Sequence, residues 1–409
     1  MRRPPLSVQI ALGMAVGLGV GLALGPSAAP LGELGKLVIQ LIKAVATPLL
    51  FFAIVRAILE AEVGGRQGLV MLGFALFDAT CALVLGLTLS NVFHPGRLLD
   101  LHGLAKPAAA TVAGAFTDKK IDLVKTISGY VPTSFVQPFV DNFVLSVVLI
   151  ALLFGFAARA LRRRDAARGA VVEDGVKALL GITEIILGWI IALAPVAVFG
   201  VVAKTVGEHG LAPLAGLAAY LGIGLGGMAI QIVVVYQLML ALVARVPLRR
   251  FWAAAREPVV YAMGANSSLA TLPLTLGALD RLGVSRSSSA LGACVGTNFN
   301  NDGIILYEGM AVLFVAQAHG IDLSLGQQLV AAGSCLVAAM GVAGVPEAGL
   351  ISLALVLNTV GLPLELLPLL LTVDWIMGRA RSVTNALADM VLSILIDSRQ
   401  RGRSAGNVG

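Results

Sequence analysis

Six blocks of this chain carry apolar residues on every side of a helix. They cover residues 6–24, 37–58, 69–93, 142–160, 179–202 and 214–243. A water-facing helix shows one apolar stripe, whereas a helix that is apolar all round is buried in protein or in lipid. Crossing a bilayer takes about 20 such residues, so each block is expected to be a membrane-spanning helix. Residues 6–24 lack the small-residue cleavage site of a signal peptide, which makes them a retained first span.

After Arg250 the pattern changes. Residues 257–279 are apolar but hold Asn266, Ser267, Ser268, Thr271 and Pro273 at their centre. Residues 287–318 carry Asn298, Asn300, Asn301, Asp302 and Gly303, and residues 329–362 are broken by Gly341, Gly344, Pro346, Glu347 and Gly349. Residues 364–396 carry Asp374, Arg379, Arg381, Asn385 and Asp389. The order is interrupted segment, polar-centred helix, interrupted segment, polar-centred helix, an internal repeat of residues 257–318 and 329–396. Interrupted segments at matching places in two halves point to the binding site of a transporter. Irregular backbone survives at membrane depth only where protein or a wet cavity covers it. Both interrupted segments are therefore expected to be re-entrant hairpins, with tips at 267–273 and 344–349 that meet near the midplane.

Composition narrows the class. Of 409 residues, 58% are hydrophobic and 13% charged, about half the charge of a soluble domain. This excludes a soluble enzyme and a disordered chain. The net charge of +6 is not a nucleic-acid footprint, because the basic residues sit in short loops: Arg2 and Arg3, Arg56 and Arg66, Arg162 to Arg164, Arg249 and Arg250. These fall on one side if each block crosses once, which places that side and both termini in the cytoplasm of a cell (inner) membrane protein. Lys106, Lys119, Lys120 and Lys125 lie in a long external loop, where charge decides less. The three cysteines and four histidines are scattered, without the spacing of a disulfide framework or a zinc site, and no phosphate-binding GxxxxGK[ST] occurs.

The intramembrane polar residues carry the chemistry. At 3.6 residues per turn, Asp374, Gly378, Arg381, Ser382, Asn385 and Asp389 share an arc of about 100°. A charge at the bilayer centre costs about 3 kcal/mol, so this stripe faces an interior site. A structural Arg–Asp pair is one reading. An anionic ligand held by Arg381, with a cation held nearby, is the other, since a guanidinium captures a carboxylate with two bonds. Residues 298–303 are nearly all poor helix formers. The helix should unwind there, and its freed carbonyls with Asp302 are hard ligands for a cation such as Na⁺; a kinked helix with cross-bonded amides is the alternative. Ser267 and Ser268 either satisfy freed backbone or offer their N–H groups to a carboxylate. Asp78, deep in the third block, is a candidate cation ligand or proton site, and Glu308 a second candidate proton site. Lys43 is expected to be structural.

At these residues the chain resembles the dicarboxylate/amino acid:cation symporter family, which includes glutamate transporters and bacterial C4-dicarboxylate transporters. The likeness covers the whole chain. Residues 43–51 are similar to the family's second span, Tyr130-Val-Pro-Thr133 to its fourth-span entry and Pro195-Val-Ala-Val-Phe199 to its fifth. Ser267-Ser-Leu-Ala-Thr-Leu-Pro273 resembles its serine-rich hairpin, and Asn300-Asn-Asp-Gly303 its unwound motif. Gly344-Val-Pro-Glu-Ala-Gly349 resembles its second hairpin tip, and residues 374–389 its last helix.

The resemblance implies an all-α polytopic fold of eight transmembrane helices and two re-entrant hairpins, built as inverted repeats. Residues 1–68 and 94–207 would form a trimerisation scaffold. Helix 3 (69–93), helix 6 (208–249) and the core at 250–398 would move substrate, and 399–409 would be a cytoplasmic tail. It implies that Arg381 holds one substrate carboxylate and that Ser268, Val345 and Gly349 hold the other through backbone, with Ser267, Ile304, Gly378, Ser382 and Asn385 lining the site. It implies Na⁺ ligands among Gly296, Asn298, Asn300, Asp302, Asn385 and Asp389, with Asp78 near the Asp302 site, and no other cofactor. The chain departs from the family at Gly378, where amino acid carriers place an Asp that pairs with the substrate ammonium. Ile304 replaces a threonine, Asn301 a methionine, and Asp78 falls near a Thr/Ser pair. The expectation is a homotrimeric membrane symporter, not an enzyme, for small dicarboxylates driven by Na⁺, H⁺ or both. The alternatives are an acidic amino acid symporter, or a channel or receptor on the same fold.

Overall fold

The computed structural model describes residues 6–60, 65–99, 131–141, 144–340 and 348–406, with no strand among them. The first span is α1 (Leu6–Leu24) and the second is α2 (Gly32–Glu60), joined by a 3₁₀ turn at Gly25–Leu31. The third is α3 (Gly65–Phe93). Arg2, Arg3, most of the external loop (residues 100–130, with its four lysines) and the Lys43 side chain lie outside the described residues. A short α4 (Gln137–Asp141) leads into α5 (Val144–Arg164), the fourth expected span.

The fifth expected span, residues 179–202, is two helices. α6 (Ala166–Ile191) and α7 (Ala194–His209) meet at an angle of 42°. The cause is Pro195 in the first turn of α7: proline has no N–H to bond the preceding turn, and its ring clashes with the carbonyl four residues back, so α6 does not run on into α7.

Helix α7 is the post against which the first two spans are set. Gly13, Gly17 and Gly21 of α1 face Pro195, Phe199 and Ala203 of α7 in the same chain direction. On its other side Gly207 meets Gly25 and Ala28, Gly200 meets Leu31 and Leu34, and Val201 meets Gly35, in the opposite direction. The chain therefore reverses at Gly25–Leu31, and the apolar stretch Val8–Arg56 contributes two spans rather than one. Outward-facing apolar side chains such as Trp189, Leu69 and Leu242, each about 70% exposed, are what a lipid-facing surface requires.

The sixth span, α8 (Ala212–Ile230), runs on to Ala244 through π-helical turns at Gln231–Val235 and Met239–Ala244. Next come α9 (Leu248–Ala265) and α10 (Ser268–Leu282), packed on each other as a hairpin. The turn is tighter than expected. Asn266 takes a left-handed φ of 52° and Ser267 caps α10, so two residues complete the reversal and Pro273 falls inside α10. The chain then rises through α11 (Arg286–Ser289), π-helical Ala290–Val295 and 3₁₀ Gly296–Asn298. It breaks at Phe299, Asn300 and Asn301 and resumes as α12 (Asp302–Ala318). The unwinding expected at 298–303 is present at 299–301, while Asn298 ends the 3₁₀ turn and Asp302 and Gly303 already open α12. Helices α13 (Leu325–Met340) and α14 (Ala348–Thr359) pack on each other, while the tip between them, residues 341–347, lies outside the described residues. The last helix, α15 (Leu367–Gly406), is 40 residues long.

Two larger apolar cores organise these helices, with a small third one where Met71 and Ala75 of α3 meet Leu392 and Ile396. The first gathers residues of α1 to α3, α5 to α8 and α12 to α14; the second gathers the continuation of α8 from Tyr236 to Leu240, with α9 and α10. Helix α15 belongs to both. Its residues up to Met377 pack in the first core and most of those from Val383 in the second, while Leu392 and Ile396 turn to α3. The polar part of its stripe, Gly378 to Ser382, lies at the junction. The π-helical turn of α8 and the break before α12 mark the same boundary.

The α1–α7 contact yields a test. A Cβ at Gly17 would stand 2.6 Å from the Phe199 carbonyl oxygen, whereas one at Gly19 meets nothing within 4 Å. Gly17→Leu is expected to lower stability by about 1–3 kcal/mol through overpacking, read as a lower unfolding midpoint in detergent. Gly19→Leu should stay near wild type. Equal midpoints for the two variants would contradict this packing.

Candidate functional site

Arg381 is 5% exposed and sits where the two cores meet. Its Nη2 donates to Asp374 Oδ2 at 3.0 Å, and its guanidinium carbon lies 4.3 Å from the ring centroid of Tyr307 on α12. Its Nη1 has no hydrogen-bond partner among the described residues, and neither does Asp374 Oδ1. Nη1 faces Gly349 in the first turn of α14, where any β-carbon would overlap it. Glu308, one residue past Tyr307, is fully buried among Ser352 of α14, Cys335 of α13 and the Arg381 charge. The structural Arg–Asp pair is thus present, through a single bond. A buried guanidinium stabilises only when its donors are matched, and this one keeps a donor aimed at the start of α14.

The α9–α10 turn closes over the same place. Ser267 Oγ accepts from Ala270 N at 3.1 Å and caps α10, and Thr271 Oγ1 donates to the Ser267 carbonyl at 2.8 Å. The Ser267 hydroxyl therefore serves the backbone, and Ser268 opens α10 as a half-buried first residue. A Cβ on Gly378 would lie 2.9 Å from Asn266 Oδ1 and 3.3 Å from Arg381 Nη2. Ser382 Oγ donates to the Gly378 carbonyl at 2.9 Å and lies 3.4 Å from Asn266 Oδ1. Gly349, Gly378, Arg381 and Ser382 are thus brought together, and Ile304 is buried on α12 three residues before Tyr307. Val345 lies outside the described residues.

A second polar cluster forms where α12 starts. Asn385 Oδ1 accepts from Gly303 N at 2.8 Å, and its Nδ2 lies 3.3 Å from Asn301 Oδ1. Asn301 Nδ2 donates to the Ala339 carbonyl of α13 at 3.0 Å. A Cβ at Gly303 would come 2.7 Å from the Arg381 carbonyl oxygen, so the broken helix presses onto α15 beside the guanidinium. Asp302 Oδ2 accepts from Tyr236 Oη at 2.8 Å and from Gln231 Nε2 at 3.3 Å, and the same amide reaches the Asp78 carbonyl at 3.4 Å. Tyr236 Oη also lies 3.4 Å from the Thr384 carbonyl. Asp389 faces Thr297 and feels the Asp302 charge.

This cluster is rich in oxygens without partners. Both carboxylate oxygens of Asp78, Oδ1 of Asp302, Oδ1 of Asp389 and both amide atoms of Asn300 are buried and unbonded among the described residues. Buried polar atoms are normally satisfied, and carboxylate and amide oxygens are the donor set of a hard cation. Asp78, Asn300, Asp302 and Asp389 thus carry free oxygens of the kind a hard cation takes, although among the described residues no three acidic, histidine or cysteine side chains converge as a metal site. The Gly296 carbonyl already accepts from Phe299 N at 2.7 Å and Asn300 N at 2.9 Å, so it is engaged by backbone here. The Asn298 side chain lies outside the described residues.

Gln231, Tyr236, Tyr307 and Asn266 belong to the site without having been singled out for it in the sequence. Gln231 and Tyr236 are polar positions in an apolar span, which is a usable signal. At about 100° per residue, however, five residues put them on different faces of an α-helix. The π-helical turn, closed by Tyr236 N on the Gln231 carbonyl, brings both to Asp302. Such bulges often mark functional positions.

Known proteins resemble this chain along its length. Residues 6–399 match the profile of the sodium:dicarboxylate symporter family. A protein of Polaromonas naphthalenivorans named C4-dicarboxylate transport protein 1 is 31% identical over 371 residues, 89% of this chain and 80% of its own length. One of the same name from Bradyrhizobium diazoefficiens is 33% identical over 89% of this chain and 82% of its own. The C4-dicarboxylate transport protein of Paraburkholderia phymatum is 32% identical over 97% and 93%.

The Asp302 contacts give a direct test. Tyr236→Phe keeps the ring and removes the hydroxyl that donates to Asp302. A hydrogen bond to a charged group is worth about 1.5–3 kcal/mol, and stability in detergent should fall by that order. An unchanged unfolding midpoint would mean that Asp302 does not depend on Tyr236.

Proposed function

The chain belongs to the sodium:dicarboxylate symporter family, and on that premise we propose that it takes up a small C4-dicarboxylate such as succinate, fumarate or malate, coupled to Na⁺, H⁺ or both. Family membership makes it an integral membrane transporter and not an enzyme. The single observation that carries the substrate reading is the Arg381 guanidinium, buried with Nη2 on Asp374 and with Nη1 unbonded among the described residues. An incoming carboxylate supplies the acceptor that Nη1 lacks, in a place where charge-assisted bonds are strong.

The remaining parts follow from this reading. One substrate carboxylate meets Arg381; the other meets backbone N–H groups at Ser268 and at the α13–α14 tip with Val345 and Gly349, which act as re-entrant hairpins. Gly378 brings no carboxylate to the site, so an ammonium beside Arg381 finds no new partner there. A desolvated charge without a partner is costly, which favours a dicarboxylate over aspartate. Na⁺ is carried at the oxygen cluster of Asn300, Asp302, Asn385 and Asp389 with carbonyls near Gly296 and Asn298, and Asp78 adds a carboxylate beside Asp302. Glu308 and Asp78 are the proton candidates. The spans α1, α2 and α5 to α7 form the scaffold of a homotrimer in the inner membrane, with both termini in the cytoplasm. The core containing α3 and α8 to α15 moves between the two sides.

Arg381→Ala together with Asp374→Asn removes the guanidinium without leaving its counter-ion unpaired. Binding of labelled succinate should fall by at least about 100-fold, since a desolvated charge pair contributes about 3–5 kcal/mol. Near wild-type uptake of succinate by the folded double variant would remove Arg381 from the substrate site.

A further inference from the structure

Asn266 stands at the turn between α9 and α10 with φ 52°, a conformation that glycine adopts most easily and asparagine tolerates. An asparagine kept there only for the turn bonds its own backbone. This one does not. Its amide oxygen is bound from Ser382, 116 residues away, at 3.4 Å, and among the described residues its amide nitrogen donates no hydrogen bond. The amide lies across Gly378, where a β-carbon would come 2.9 Å from Oδ1 and 3.4 Å from Nδ2. The same β-carbon would stand 3.3 Å from Arg381 Nη2. Gly378 therefore leaves the space that the Asn266 amide fills, beside the guanidinium. The single Ser382 hydroxyl proton is shared between the Gly378 carbonyl at 2.9 Å and Asn266 Oδ1 at 3.4 Å, so the amide nitrogen is the neutral donor of this corner.

We propose that Asn266 is a specificity-determining residue whose amide donates to an oxygen on the carbon next to a substrate carboxylate, favouring 2-hydroxy- and 2-oxo-dicarboxylates over unsubstituted ones. This rests on the dicarboxylate reading and names what that site discriminates. A hydroxyl or keto oxygen brings a lone pair to the amide N–H. A methylene buries that donor unpaired, which is unfavourable. An ammonium has no lone pair to offer that donor, so a 2-amino-dicarboxylate gains nothing from it. A site built around a hydrogen bond discriminates against a substrate that lacks the matching group.

The test is competition for labelled-succinate uptake in proteoliposomes by unlabelled malate, oxaloacetate and succinate. Wild type should be inhibited by malate and oxaloacetate at lower concentrations than by succinate, by about 10-fold. Asn266→Gly removes the amide and suits the left-handed turn, and the ratio should collapse toward one. Asn266→Asp keeps the shape and the turn but turns the donor into an anion. It should lose the preference and weaken all three competitors. The proposal is overturned if wild type shows no preference for the oxygenated compounds, or if Asn266→Gly retains it. A wild type that takes up none of the three would instead bring down the dicarboxylate reading itself.

Discussion

A guanidinium in an apolar interior must be matched in charge and in hydrogen bonds, and much of this molecule is arranged around that demand. Arg381 lies 5% exposed between two apolar cores. Asp374, seven residues earlier, balances part of its charge, and Tyr307 offers the negative face of its ring. Glycine is required wherever backbone comes close: at Gly303, where α12 presses on the Arg381 carbonyl, and at Gly349, where α14 meets Nη1. The hairpin turn at Asn266 and the broken helix before Asp302 end where α15 passes from one core to the other. Irregular backbone is tolerable there because protein covers it.

The same constraint links the two polar clusters. Asn385 lies one turn after Arg381 on α15 and accepts from Gly303 N, next to Asp302. A change in the charge held by Asp302, Asn300 and Asp389 therefore acts on the helix that holds Arg381. In the proposed symporter that contact is a physical route for linkage between cation and anion, which thermodynamics makes reciprocal.

How much of this is written in the sequence depends on the period that carries it. The α15 stripe is legible because the Asp374 to Asp389 positions recur at the α-helical period. The break at residues 299–301 is legible because Asn300 and Asn301, after Asn298, disfavour helix. The sequence places the hairpin tip at residues 267–273, and the turn is tighter, since Asn266 alone supplies the left-handed step and Pro273 sits within α10. The fifth span reads as one block because hydropathy does not register the bend that Pro195 imposes. The Gln231–Tyr236 grip on Asp302 is hidden because it depends on a π-helical turn, and nothing in the apolar run 232–235 announces a change of period. Asn266 over Gly378 joins residues far apart in the chain, so only the folded chain brings them together.

In the proposed symporter the buried Arg381 and the oxygen-rich cluster around Asp302 together couple a dicarboxylate to a cation. The measurement for this is the accumulation of labelled succinate in proteoliposomes with Na⁺ and pH gradients imposed separately. At least one inward gradient is expected to drive succinate above its external concentration, and dissipating the gradient to release it. Uptake that only equilibrates under both gradients would contradict coupling, as would accumulation of aspartate but not succinate for the choice of substrate.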